Sequence, residues 1–336
     1  MISWWRKLDT RGKALLLAII LLMICLFQPH MKLPKRVYDW LIVIDITQSM
    51  NVRDMNINER SISRLAFSKA SIRESLRALP CGSRVALGLF TERNTTTITH
   101  PLEVCTHFSA IDETVSRVDW RMAWAADSFI SHGLFDGIAK TAKIDDQMNI
   151  AFITDGHQAP PGNPDYMPKF EGKAGQVKGL IVGVGGLKPS LIPKLDDKDN
   201  ITGYWELDDV QRYATFGMAR VQSALEMEQQ QADGMHGRNS PHGSAPTEIN
   251  HANLSGQDQA SLKKLANETR LNYLNLQEVN QLNDAFSSRK TSVWRMADTD
   301  LRPWFAIPAM CLIILFFIPA TFLNQLFQRV IKRKIK

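Results

Sequence analysis

The segment Trp40-Leu-Ile-Val-Ile-Asp45-Ile-Thr47-Gln-Ser49 joins an apolar run to one carboxylate, Asp45, and two hydroxyls, Thr47 and Ser49. A short apolar run of this kind is typical of a strand that is buried on both faces of a sheet. Two further runs have the same character, at 150–153 and 179–184. The run at 150–153 also leads into a polar segment, Thr154-Asp155-Gly156.

Segments with helical spacing separate these runs. Apolar residues recur at helical intervals over 62–79, and further helices are predicted at 133–143, 208–227, 259–269 and 278–287, with a short strand at 271–276. Alternating strands and helices predict an α/β fold, a doubly wound and mostly parallel sheet.

The polar residues follow the strands at the edge where α/β sheets bind ligands. Asp45 comes at the end of the first apolar strand, and Asp155 follows the strand at 150–153. Thr47 and Ser49 lie in the loop after the first strand. Carboxylate and hydroxyl oxygens suit a hard divalent cation, with Mg²⁺ favoured and Ca²⁺ or Mn²⁺ as alternatives. The competing interpretation is that Asp45 and Ser49 only cap the next helix.

Asp-x-Thr-x-Ser after a first strand and a distal Thr-Asp-Gly resemble a von Willebrand factor A (VWA) domain, over roughly 38–288. That resemblance implies a Rossmann-like fold and a binding function rather than an enzymatic one. In the family, a metal-ion-dependent adhesion site (MIDAS) binds an acidic residue of a protein partner. Carried over, the ligands are Asp45, Thr47 (Ser in the family), Ser49 and Asp155. The family's loop threonine has no match, and Ser128 takes its place, with Ser131 as the fallback.

The chain carries a net charge of +6, but its basic residues are concentrated in two tails. Residues 37–328 hold 28 Lys/Arg and 33 Asp/Glu, so this part is net acidic and nucleic-acid binding is not expected. Two uncharged apolar segments predict membrane helices, an uncleaved anchor at 14–31 and a second span at 303–328. Residues 1–13 and the basic tail 329–336 are then cytoplasmic.

Basic residues near the spans slightly favour a domain outside the cytoplasm, on the periplasmic side of a bacterial inner membrane.

Cys81 and Cys105 flank two strand-like runs, 84–90 and 95–99, and lie equidistant from the turn between them. Such positions face each other in a hairpin, which predicts a disulfide in an oxidising compartment; two unpaired cysteines are the alternative. Residues 228–256 are predicted to be a flexible insertion.

An anchor, a VWA-like domain and a second span resemble the BatA-like membrane proteins that are associated with MoxR-type AAA+ ATPases. Some members of that group assist the maturation of periplasmic enzymes, including metal loading of quinoprotein methanol dehydrogenase. The resemblance implies that the chain acts in assembly at the membrane, together with a protein partner and a MoxR-type ATPase.

Other functions stay open at this stage. Asp45 after an apolar strand also suits a metal-dependent phosphatase, but that chemistry needs an aspartate where Thr47 stands. Gly183-Val-Gly185-Gly186 resembles part of a dinucleotide-binding loop, although Lys188 occupies the third glycine position. A VWA scaffold with a non-functional metal site is the third possibility.

Overall fold

The computed structural model describes residues 9–125, 127–159, 168–206, 209 and 253–317. The predicted helix 208–227 apart from residue 209, nearly all of the insertion 228–256, the end of the second apolar segment and the tail 329–336 lie outside these residues. The chain divides into two units, one formed by 1–35 with 295–336 and the other by 36–294.

The described helices and strands follow one another along the chain. The helices are α1 Thr10–Leu26, α2 Arg64–Ala78, α3 Phe108–Arg117, α4 Ile130–Ile144, α5 Gln259–Thr269, α6 Gln281–Phe286 and α7 Arg302–Phe317. The strands are β1 His30–Asp45, β2 Met55–Ile57, β3 Arg60–Ile62, β4 Arg84–Thr91, β5 Asn94–Thr97, β6 Leu102–Glu103, β7 Asn149–Thr154, β8 Gly179–Val184, β9 Ser190–Leu191, β10 Pro193–Leu195, β11 Ile201–Tyr204, β12 Leu254–Ser255, β13 Asn272–Leu276 and β14 Ser292–Asp300.

The main sheet of the described residues has the strand order β13-β8-β7-β1-β4-β5, with β14 pairing β1 and β6 pairing β4. Strands β13, β8, β7, β1 and β4 are parallel to their neighbours, and β5 and β6 run antiparallel to β4. The predicted α/β class with a mostly parallel sheet is therefore confirmed. Its central strand is β1, the strand that ends in Asp45.

Each face of the sheet packs against helices, because alternate residues of a strand point to opposite faces. On β1, Trp40, Ile42 and Ile44 belong to one apolar core, together with residues of α2, α3 and α6. Leu41 and Val43 belong to a second core with residues of α4 and α5. The two cores show why these apolar runs contain no alternating polar residues.

Helices α1 and α7 belong to the first unit. Asp9 caps α1 by accepting a hydrogen bond from the Gly12 N–H at 2.7 Å. The helix begins at Thr10 and ends at Leu26, and strand β1 begins at His30. The helix therefore starts and ends earlier in the chain than the predicted segment 14–31. Within the described residues, no helix combines the length and apolar character needed to cross a membrane. The spans at 14–31 and 303–328 stay predictions.

The last residues of the predicted insertion belong to the fold. Leu254 and Ser255 form β12, which pairs with β9 in antiparallel register. Ser255 is fully buried, and Arg64 donates hydrogen bonds to its hydroxyl and its carbonyl oxygen. The insertion predicted at 228–256 therefore ends at residue 253 or earlier, at least three residues before the predicted end.

Candidate metal centre

Two strand ends meet at the carboxyl edge of the sheet. Strands β1 and β7 are paired in parallel, with Ile44 opposite Ile153. The next residues are Asp45 and Thr154, and the Thr154 hydroxyl donates to Asp45 Oδ2 at 2.6 Å. The first predicted ligand is thus held by the strand beside it.

The loop after β1 folds back on the same carboxylate. The backbone N–H of Thr47 donates to Asp45 Oδ1 at 2.9 Å, and the Thr47 hydroxyl donates to the same oxygen at 2.7 Å. The hydroxyl oxygens of Thr47 and Ser49 lie 3.3 Å apart. All three residues are buried. The Asp-x-Thr-x-Ser segment therefore forms a compact group of oxygen atoms, as its spacing predicts.

Ser128 lies across the end of β1. Its backbone N–H donates to the carbonyl of Ala159, beyond β7, at 2.7 Å, and it forms a parallel bridge with Glu92, just after β4. Because β1 lies between β4 and β7, these two contacts place Ser128 over the strand end that carries Asp45. Ser131 follows in the first turn of α4.

The hydroxyls of Ser128 and Ser131 are buried, and among the described residues neither has a hydrogen-bond partner. A buried hydroxyl without a partner costs about 1–3 kcal/mol, so native proteins rarely retain one without a ligand or water to satisfy it. These two atoms fit a site that binds a cation.

The charge on Asp45 points the same way. Burial, followed by the charge of Asp155, raises the pKa of Asp45 to about 7, although hydrogen bonds from Thr154 and Thr47 lower it in part. Among the described residues, Asp45 forms no ion pair, so a nearby cation would offset the cost of its charge. The residues present therefore fit a divalent cation held by oxygen ligands.

Asp155 has a different environment, which the sequence did not reveal. Its Oδ2 atom accepts from Arg64 Nη1 at 2.5 Å and from the Ser255 hydroxyl at 3.0 Å, and its Oδ1 accepts from the His157 N–H at 2.9 Å. Both oxygens of this predicted ligand are thus engaged within the protein. Arg64 also binds Asp54, through Nη2 to Oδ2 at 2.6 Å.

Arg64 is a site residue that the sequence patterns did not indicate. It begins α2 and is fully buried, and the pKa of its guanidinium is raised because Asp155 and Asp54 outweigh the effect of burial. Arg64 shares a helix face with small polar residues at helical spacing, Ser68, Ser71 and Ser75, and all of them are buried. The hydroxyls of Ser68 and Ser75 donate to carbonyls of their own helix. This stripe therefore marks a buried helix face but does not indicate that Arg64 pairs with Asp155.

The glycine-rich segment after β8 makes room for this arginine. Gly185 has φ +113°, and a Cβ there would lie 2.5 Å from Arg64 Nε. The Gly186 N–H donates to Asp54 Oδ2 at 2.9 Å. The segment that resembles a dinucleotide-binding loop is therefore occupied by an ion pair of the protein itself.

The two domain cysteines are bonded to each other in the structure, with their Cα atoms 5.2 Å apart. Strand β4 pairs with β5 and then with β6 as far as Arg84 opposite Glu103, so the sulfurs meet at the open end of this pairing. Cys81, Glu103 and Cys105 are the one group of three potential His, Cys, Asp or Glu metal ligands among the described residues. Because its sulfurs are joined, this group offers no thiolates to a metal.

Neither a protein-family model nor a curated protein matches the sequence. Solved structures do show similarity. An aerotolerance-related membrane protein from Bacteroides fragilis is 14% identical, with a TM-score of 0.43, over 74% of this chain and 96% of that chain. BatB from Bacteroides thetaiotaomicron is 14% identical, with a TM-score of 0.45, over 74% and 95%.

A von Willebrand factor type A protein from Catenulispora acidiphila is 11% identical, with a TM-score of 0.36, over 81% of this chain and 43% of that chain. All three TM-scores lie below 0.5, so these likenesses carry no conclusion about function.

Proposed function

We propose that the chain is a VWA-type, metal-dependent protein-binding module and not an enzyme. Asp45, Thr47, Ser49 and Asp155 would hold a divalent cation, Mg²⁺ first among the candidates, together with Ser128 or Ser131. The observation that carries this proposal is that the buried hydroxyls of Ser128 and Ser131 have no hydrogen-bond partner among the described residues, while the backbone of Ser128 contacts residues that follow the two strands flanking β1. When bound, the cation supplies an electrophilic position for a carboxylate oxygen, and an aspartate or glutamate of a protein partner is the expected occupant.

A phosphatase has less support. Its general acid would stand at position 47, where the Thr47 hydroxyl instead donates to Asp45 Oδ1. Both oxygens of Asp45 accept hydrogen bonds from threonine side chains, which restrains the carboxylate rather than leaving it free as a nucleophile.

The experiment is a titration of the full chain with Mg²⁺ by calorimetry, in wild type and in Asp45→Ala and Ser49→Ala. Both variants are expected to lose measurable binding, and Ser61→Ala, an exposed serine outside the site, is the matched control. Circular dichroism confirms that each variant folds. Equal Mg²⁺ binding by wild type and Asp45→Ala would contradict the metal site.

Partner binding is tested on the same proteins. Capture of an acidic protein partner is expected in Mg²⁺ and is expected to disappear in EDTA or in Asp45→Ala. Capture that persists in EDTA would favour the alternative of a scaffold whose metal site has no function. Phosphate release from a phosphomonoester in Mg²⁺, abolished in Asp45→Ala, would favour the phosphatase.

We propose that the protein is located in the bacterial inner membrane, with spans at 14–31 and 303–328 and the domain in the periplasm. We further propose that it acts with a MoxR-type ATPase in the maturation of a quinoprotein dehydrogenase or a similar complex. The apolar sequence of both segments and the Cys81–Cys105 bond support this placement. A reporter that is active only in the periplasm, fused within 228–256, tests it. Activity of a cytoplasmic reporter at the same position would reverse the orientation.

A further inference from the structure

An open pocket of about 330 Å³ lies at the edge of the sheet where strands β7 and β8 begin. The candidate metal centre lies at the other edge, where the strands end, and none of its residues lines this pocket. The lining includes Asp146, Gln147, Asn149, Lys178, Lys290 and Ser292. Pockets that bind small molecules begin at about this volume.

Buried polar contacts fix the floor of the pocket. The side-chain amide of Asn149 donates to the carbonyl of Asp39 at 2.9 Å and to that of Thr291 at 3.0 Å. Asn149 and Thr291 both line the pocket and are both buried. These hydrogen bonds join the start of β7 to β1 and to the turn before β14, so the floor is attached to the sheet and not to a loop alone.

Two lysines give the pocket a positive charge. Lys178 and Lys290 are exposed, and neither forms an ion pair in the described part of the chain. Asp146 lines the same pocket but does not lie within ion-pair distance of either lysine, and the neighbouring Asp145 is paired with Arg84 at 2.6 Å. The lining therefore has a net positive charge, which suits an anionic ligand.

An aromatic and a basic side chain lie beside the pocket. Trp294 follows the lining residue Val293 and is 65% exposed, and the Arg36 guanidinium lies 5.2 Å from the centre of its ring. Exposed tryptophan together with basic residues is typical of protein surfaces at a membrane–water interface. Arg36 and Trp294 are also the first and last residues of their unit, so the chain enters and leaves it at the edge that carries the pocket.

We propose that this pocket binds the phosphate group of an anionic phospholipid, with Lys178 and Lys290 as its cationic contacts and Trp294 among the lipid headgroups. The inference rests on the proposed location at a membrane and on no residue of the metal centre. A soluble phosphate would meet the same two lysines but would gain nothing from the exposed tryptophan. The segments proposed as spans, 14–31 and 303–328, precede and follow this unit in the chain, which favours the lipid.

The test is a titration of the full chain in maltoside micelles, followed by native mass spectrometry, with phosphatidylglycerol, phosphatidylcholine or inorganic phosphate. Phosphatidylglycerol is expected to bind more tightly than phosphatidylcholine, which has no net charge, and more tightly than inorganic phosphate. Lys178→Gln combined with Lys290→Gln is expected to weaken phosphatidylglycerol binding roughly 25-fold, a factor of about five for each lysine. The matched control combines Lys188→Gln and Lys198→Gln, at exposed lysines outside the pocket.

Trp294→Ala is expected to weaken the binding of phosphatidylglycerol and to leave that of inorganic phosphate unchanged. All of these substitutions are at exposed side chains, so the variants are expected to fold, and circular dichroism checks this. Equal affinity of the wild type and the Lys178 and Lys290 double variant for phosphatidylglycerol would overturn the proposal, and so would equal affinities of the wild type for the two lipids.

Inorganic phosphate that binds as tightly as phosphatidylglycerol, with no effect of Trp294→Ala on either, would overturn the lipid and assign the pocket to a soluble anion. The outcome is separate from that of the proposed location, because binding in micelles does not require the apolar segments to span a membrane. A wrong location would be detected by the reporter within 228–256, and a metal centre without function would leave these titrations unchanged.

Discussion

The hydroxyl of Thr154 donates a 2.6 Å hydrogen bond to Oδ2 of Asp45, although the two residues are 109 positions apart in the chain. The same hydroxyl accepts from the Gly156 N–H at 3.0 Å. One side chain at the end of β7 thus orients the carboxylate at the end of β1 and the turn that follows Asp155. The parallel pairing of the two strands brings these groups together.

We predict that Thr154→Val destabilises the protein by about 1–2 kcal/mol, because valine keeps the shape of threonine and removes the hydrogen bonds. Urea unfolding of both proteins measures the difference. Thr202→Val, at an exposed threonine of β11, is the control and is expected to change stability by less than about 0.5 kcal/mol. Equal midpoints for wild type and Thr154→Val would show that this hydrogen bond adds nothing.

The ionisation of Asp45 makes stability depend on pH when no metal is present. Its pKa of about 7 in the folded protein lies above the value in an unfolded chain, about 4. Between these values the folded state retains a proton that the unfolded state has lost, so stability falls as pH rises from about 4 to about 7.

Asp45→Asn is expected to remove this decline, which is on the order of 4 kcal/mol in total. Urea unfolding in EDTA at several pH values measures the free energy of unfolding of both proteins. The slope of this free energy with pH is compared, because other effects of the substitution alter the slope less than the absolute value. Parallel pH profiles for the two proteins would contradict the assignment.

Ser128 and Ser131, whose hydroxyls have no partner in the described part of the chain, can be distinguished by stability with and without Mg²⁺. Without metal, Ser128→Ala and Ser131→Ala are each expected to leave stability unchanged or to raise it by about 1 kcal/mol, because an unsatisfied hydroxyl is removed. A hundredfold excess of Mg²⁺ over its Kd is expected to stabilise the wild type by about 2.7 kcal/mol. The variant that loses this stabilisation identifies the ligand, and its retention in both variants would exclude both serines.

The Cys81–Cys105 bond closes a loop with a sequence separation of 24. Replacing both cysteines by serine is expected to cost about 3 kcal/mol, the entropy of closing a loop of this size in the unfolded chain. The control is replacement of Cys25 and Cys311, which are free in the structure. Thiol titration of the denatured, unreduced protein is expected to give two thiols; four would show that the bond does not form.

Gly185→Ala is expected to destabilise the protein by about 2 kcal/mol or more, because φ is positive there and a Cβ would lie 2.5 Å from Arg64 Nε. Gly203→Ala is the matched control, since a Cβ at Gly203 meets no atom within 4 Å. Thermal unfolding compares them. Similar losses in the two variants would mean that the contact with Arg64 is not the cause.

Much of the fold was predictable from local patterns. The apolar runs at 40–44, 150–153 and 179–184 are strands of the sheet, and the pairing of Cys81 with Cys105 follows the symmetry of the hairpin between them. The group formed by Asp45, Thr47 and Ser49 was also local, since alternate residues of one loop can meet without help from the rest of the chain. The predicted bounds of the first apolar segment, 14–31, differ from those of the observed helix, because the cap at Asp9 and the start of β1 define where the helix begins and ends.

By itself, the sequence determined the type and order of the elements and the oxygen chemistry at the ends of two strands, because hydrophobic periodicity and residue type are local properties. Only the tertiary structure decided which charge stands beside each carboxylate. Arg64 meets Asp155 across 91 positions and Ser255 across 191, and no periodicity encodes contacts between such distant segments. The packing of α2, β7 and β12 produces those contacts. Asp155 is thereby ion-paired with Arg64, whereas Asp45 has no ion-pair partner among the described residues.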